Sequence, residues 1–211
     1  MTRPRPSLRI RRRRAHLVAA VLLGAGLAVG ATACAPEAAP TSSQSPSAAV
    51  TVSPSTAAAA PELLPFPTGP STSTTALPND CKAILTASVL TALDGVPLNA
   101  TGMGGGIRPD SSRVCVWGEP GSIGTWLATV IGYSPDREAR DALYALGNEG
   151  YTCYEPKGGV RCEKTWQHPS LPVEQGRTLF YRDGVIVDTQ YSNLAPKGYT
   201  DAVITALWPT G

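Results

Sequence analysis

The chain has 211 residues, 18 Lys+Arg against 16 Asp+Glu, 42% hydrophobic and 6% aromatic residues. This apolar fraction supports a core and excludes a wholly disordered chain, and the length allows one domain with a tail. The net charge of +2 is uneven: Arg3, Arg5, Arg9 and Arg11 to Arg14 all lie in the first fourteen residues, and residues 78–211 carry 11 basic against 14 acidic side chains. A mildly acidic domain gives no ground for nucleic acid as a partner.

The arginine run leads into an apolar stretch, Leu17 to Val29, of the length of a secretory h-region. Ala31-Thr32-Ala33-Cys34 follows and resembles the bacterial lipobox. That resemblance implies cleavage before Cys34, diacylglycerol on its thiol, and a chain held by lipid on the outer face of the cell membrane, exposed to the cell wall. Residues 1–33 are therefore read as a lipoprotein signal peptide, with the arginines as its cytoplasmic topogenic signal. The competing reading, an uncleaved anchor, has an apolar stretch at the short limit for spanning.

Residues 34–77 are almost entirely Ala, Pro, Ser and Thr. With no apolar period and frequent prolines, this segment is expected to be a disordered stalk. Leu63-Leu64-Pro65-Phe66 is its one apolar interruption; docking on the domain is the alternative, and a passive part of the stalk is the preferred reading.

Residues 78–211 are expected to form a single α+β domain. Asp80 is placed as N-cap of a helix over Cys81 to Leu93, with Ile84, Leu85, Val89 and Leu93 as its buried stripe and Gly95 and Pro97 beyond its end. Residues 101–112 read as loop. Strands are expected at Arg113 to Trp117 and Thr125 to Tyr133. Ser134-Pro135-Asp136 gives an N-cap and first turn for a helix that buries Ala139, Leu143 and Leu146 and stops at Gly147. Val160 to Trp166 is a third strand. Arg177 to Tyr181 and Val185 to Tyr191, joined through Asp183-Gly184, form a hairpin, and Tyr199 to Trp208 is a last helix. The order predicts a largely antiparallel sheet of about five strands packed with about three helices.

With Cys34 assigned to lipid, Cys81, Cys115, Cys153 and Cys162 form an even set in an exported chain, which points to two disulfides. Three pairings are open. Pro156 and Gly158-Gly159 can turn the chain so that Cys153 meets Cys162, which leaves Cys81 and Cys115 to tie helix to strand. The helix opening Cys81-Lys82-Ala83-Ile84-Leu85-Thr86, with Cys115-Val116-Trp117 further on, resembles small actinobacterial cell-envelope lipoproteins of unknown function, which share the lipobox, the Ala/Pro/Ser/Thr stalk and an α+β domain. The resemblance supports the pairing of Cys81 with Cys115 and implies no activity.

The residues offer little catalytic chemistry. One histidine, His168, lies in a Pro-bounded loop of the domain. No Cys-x-x-Cys, no Gly-x-Ser-x-Gly and no phosphate loop is present, so no catalytic residue, metal site or cofactor is assigned. Alternation leaves open which face of its strand Asp188 takes. Trp166, Tyr154 and His168 are the candidate ligand surface. The function expected is a lipid-anchored binding or sensory module of the cell envelope, taking an envelope protein or a small molecule. The alternatives are a glycan-active enzyme using two carboxylates, and a structural or partner-binding protein.

Overall fold

The computed structural model describes residues 60–209, so the expected signal peptide, Cys34 and the expected stalk up to residue 59 lie outside the described residues. The domain is α+β, with three helices and one antiparallel sheet. Its strands are β1 (Gly106–Ile107), β2 (Arg113–Gly118), β3 (Trp126–Tyr133), β4 (Thr152–Tyr154), β5 (Val160–Gln167), β6 (Glu174–Arg182) and β7 (Val185–Ser192). The helices are α1 (Ala87–Ala92), α2 (Asp136–Leu146) and α3 (Tyr199–Leu207).

The sheet has seven strands rather than about five, in the order β1-β2-β3-β7-β6-β5-β4. The two additions are the edge strands β1 and β4, of two and three residues. They are too short to show an alternating pattern, and they exist because longer strands beside them offer free ladder groups. After β3 the chain crosses through α2 to the far edge and returns by a β4-β5-β6-β7 meander to pair β7 with β3. The β6–β7 turn places Asp183 and Gly184 at φ 49° and 77°, the left-handed pair that an Asp-Gly hairpin turn requires.

Alternation along the strands sends side chains to two faces. On the first, Trp117, Leu127, Ile131, Phe180 and Val187 pack with α1 and α3 through Val89, Leu93, Tyr199 and Val203. On the second, Leu179, Tyr181, Ile186 and Cys162 pack under Ala139, Leu143 and Leu146 of α2, while Met103 covers Val114, Val116 and Val130. β2, β3 and β7 are buried on both faces. The apolar runs of β2 and β3 are near-continuous for that reason, whereas β7 buries the polar side chains Asp188, Thr189, Gln190 and Ser192.

Two helix starts differ from expectation. α1 begins at residue 87, because Thr86 is extended and its hydroxyl accepts the Val89 N–H at 3.4 Å. Asp80 instead accepts the Lys82 N–H at 2.8 Å in a local turn, and the expected first half of the helix is a turn. Ser134 does not cap α2. Its hydroxyl donates to the Pro67 carbonyl at 2.6 Å, and Pro135 takes the N-cap position.

Both disulfides are formed, Cys81–Cys115 between the turn before α1 and β2, and Cys153–Cys162 as a cross-strand pair of β4 and β5. Two disulfides fit a chain that folds in an oxidising, extracellular environment. Among the described residues, no helix is long and apolar enough to cross a membrane.

The chain also packs on the domain earlier than residue 78. Leu63 and Phe66 contact the clusters of the second face, the Gly69 N–H donates to the Tyr133 carbonyl at 3.0 Å, and Leu77 contacts the cluster of the first face. Residues 63–77 thus wrap one end of the sheet from one face to the other. The apolar quartet is a docked strap and not a passive piece of stalk: Leu63 and Phe66 pack on the second face.

Candidate functional site

α3 covers the first face only over the middle of the sheet. Beyond it, β4, β5 and β6 present Thr152, Arg161, Glu163 and Thr178 to a groove, with Tyr154 beside it. Two adjoining cavities of about 480 and 160 Å³ share Thr178 and Tyr191 as floor, and the start of α3 walls the smaller.

The disulfide register builds one side of it. Pairing Cys153 with Cys162 puts Tyr154 opposite Arg161 and Thr152 opposite Glu163. The Arg161 guanidinium then donates to Glu163 at 3.1 Å and to Asp201 of α3 at 2.9 Å, and lies 6.0 Å from the centre of the Tyr154 ring. The Tyr154 hydroxyl donates to the second Glu163 oxygen at 3.1 Å. One cation thus holds two carboxylates and an aromatic ring in place, and Asp201, the more open acid, keeps one oxygen outside these bonds.

Tyr191 forms the floor because its strand partner is Gly176. A Cβ there would come 2.5 Å from the Tyr191 ring, so glycine is what lets the ring lie across β6. The Tyr191 hydroxyl donates to Glu174 at 3.2 Å. Burial, then the Glu174 charge, pushes the Tyr191 phenol up to about 12; burial, then Asp136, does the same for Tyr181 in the core. A raised phenol contributes stability that is whole below the unfolded value near 10 and is lost as pH rises through the folded value. We therefore expect stability to fall between about pH 10 and 12, and ultraviolet titration of the folded protein to show two phenols ionising near 12. Titration of all seven tyrosines near 10 in the folded state would contradict this packing.

The three residues expected to share a ligand surface do not meet. Tyr154 lies beside the groove, in contact with its Arg161 and Glu163. Trp166 is on the opposite face, its indole donating to Gln175 at 2.9 Å. His168 caps a turn, where Nδ1 accepts the N–H groups of Ser170 and Leu171 at 3.0 Å each, and it lines a separate cleft with Trp126 and Ile123. Strand period separates Tyr154 from Trp166: the register that puts Arg161 and Glu163 beside Tyr154 sends residue 166 through the sheet. Several other aromatics, among them Trp117, Phe180, Tyr181, Tyr199 and Trp208, are buried in the core. Among the described residues, no three His, Cys, Asp or Glu side chains gather as a metal would require.

A second polar cluster lies on the other face. Arg177 holds Asp188 through Nε at 2.9 Å and Nη2 at 2.7 Å, both side chains 4% exposed. Burial pushes the Asp188 carboxyl up, against the pull of Arg177. The strap covers this pair.

No protein-family model, curated protein or solved structure matches the chain. The groove and the covered ion pair are therefore read from their own geometry.

Proposed function

We propose that the chain is a lipid-anchored binding module of the cell envelope, and that it takes a small polar ligand in the groove of the first face. The observation that carries this is the set Tyr191, Thr178, Arg161, Glu163 and Asp201, lining adjoining cavities on an uncovered part of the sheet. A flat ring for the apolar side of a ligand, with hydroxyls and a carboxylate already oriented, suits a molecule rich in hydroxyl or amide groups. The lipobox resemblance at Cys34 and the composition of residues 34–59 support the anchored placement, and the pair of disulfides fits its extracellular side.

A glycan-active enzyme has one feature in its favour, since Glu163 and Asp201 converge on the same groove. Both, however, are bound to the Arg161 guanidinium, and their side chains are 39% and 58% exposed. Neither stands in the apolar surroundings that prepare a carboxylic acid to donate its proton. Binding without turnover is the better reading.

The test is native mass spectrometry of the full-length protein after incubation with envelope extract. A retained small molecule is expected on the wild type and a loss of about tenfold or more in occupancy on Tyr191→Ala or Gly176→Val, which remove or displace the floor. Equal retention by these variants would exclude the groove, and a hydrolysed product would favour the enzyme. In the same cells, Cys34→Ala is expected to move the protein from membrane to medium; unchanged membrane retention would end the lipoprotein reading.

A further inference from the structure

The strap is bound as a peptide ligand is bound. None of residues 60–77 belongs to a strand, and at Leu64 and Pro65 side chains of the sheet, not a β-ladder, hold the strap's main chain. Gln190 addresses both main-chain groups of one residue: its Oε1 accepts the Leu64 N–H at 2.9 Å and its Nε2 donates to the Leu64 carbonyl at 3.0 Å. Arg177 Nη2 donates to the carbonyls of Leu64 and Pro65 at 3.2 and 3.1 Å. Asp188 orients both, accepting from Arg177 and from Gln190 Nε2 at 3.1 Å. Arg177, Asp188 and Gln190 are each at most 4% exposed.

Side-chain recognition is added at two points. Leu63 meets the cluster around Val114 and Val130, and Phe66 meets the cluster under α2, while Leu64 is 46% exposed. Inward residues three apart, with Pro65 between them and Pro67 after, match the three-residue turn of a polyproline-type chain, which binds without losing much conformational freedom. The fit is incomplete. A cavity of about 220 Å³ remains beside Leu63, Leu64, Pro65, Phe66 and Asp188.

These contacts specify a main chain and two apolar side chains, and nothing in them requires that the peptide be covalently part of the domain. We propose that the second face is a recognition groove for an extended apolar-x-Pro-aromatic segment of another protein, and that residues 63–66 occupy it in cis as a displaceable latch. It is a different surface from the groove of the first face, so either assignment can fail alone. The Arg177–Asp188 pair, costly to bury and replaceable by apolar residues in a purely structural role, is kept because it orients a donor toward peptide carbonyls.

The test uses the full-length protein with Leu63→Ser and Phe66→Ser together, and a labelled peptide of residues 60–69. The variant is expected to keep slow amide exchange in β6 and β7 and to lose it over residues 62–69. The peptide is expected to bind this variant at least about tenfold more tightly than the wild type, where the latch fills the site most of the time. Adding Gln190→Ala should abolish that binding. A freed strap with no uptake of the peptide would overturn the proposal, as would equal binding to the wild type. If the variant does not fold, the wild-type chain can be folded first and then cut at a protease site introduced at residues 72–74. A released N-terminal fragment that exchanges with the labelled peptide supports the latch; a fragment that never exchanges, or never rebinds, refutes it.

Discussion

Asp188→Ala is expected to lower the unfolding free energy by about 3–5 kcal/mol, the usual effect of removing one partner from a buried ion pair. Against a typical domain stability of about 5–15 kcal/mol, that brings the protein near its threshold. The cause is the guanidinium left behind, since Arg177 is 4% exposed and only strap carbonyls would remain as its partners. Urea denaturation with both disulfides intact measures the loss. Arg177→Met combined with Asp188→Leu should recover most of it, because an apolar pair carries no desolvation penalty. The double variant should nevertheless leave the strap amides poorly protected from exchange, since the donor to Leu64 and Pro65 is gone. Recovery of both stability and strap protection would mean that the pair holds the core and not the strap.

Removing the disulfide between Cys81 and Cys115 comes next in size. Its sequence separation of 34 gives a loop-closure contribution of about 4 kcal/mol, against about 2.5 kcal/mol for the separation of 9 between Cys153 and Cys162. The Ser/Ser variants, compared by urea denaturation, should follow that ranking. The first should also speed amide exchange in α1, a six-residue helix too short to persist without tertiary ties. If losing the short-loop bond proves the costlier change, then its role as the register pin of β4 and β5 outweighs chain entropy.

The main elements of the fold were legible where physical signals were strong. The Asp183-Gly184 turn, the apolar runs of β2 and β3, and the helix after Pro135 all follow from turn chemistry and period. β1 and β4 were not legible, because two or three residues carry no period. Thr86 could have marked the start of α1, yet Asp80 offered an equally good cap in sequence. Tyr154 was visible as a candidate, but its partners were hidden behind an unknown register. The signal that could have found them was the second disulfide itself: treating Cys153 and Cys162 as directly opposed in a hairpin puts Arg161 across from Tyr154. Asp201 could not have been found in this way, since it reaches the groove from a helix 40 residues further along. The docking of the strap was not the preferred reading, for a related reason. Four apolar residues among prolines look idle until the sheet they cover is known, and the decisive contacts are main-chain ones that leave no mark on composition.

The wrap of residues 63–77 around the sheet end also sets the order in which the domain can be completed. Leu64 meets Gln190 across 126 residues and Arg177 across 113. Loop closure over such distances comes late, after local hairpins such as β6–β7 have formed. The first part of the domain to be synthesised is thus the last to find its seat. Until the final hairpin emerges, Leu63 and Phe66 stay solvent-exposed in a Pro-rich segment that resists β-aggregation, and refolding should show a slow step visible only to a probe on the strap.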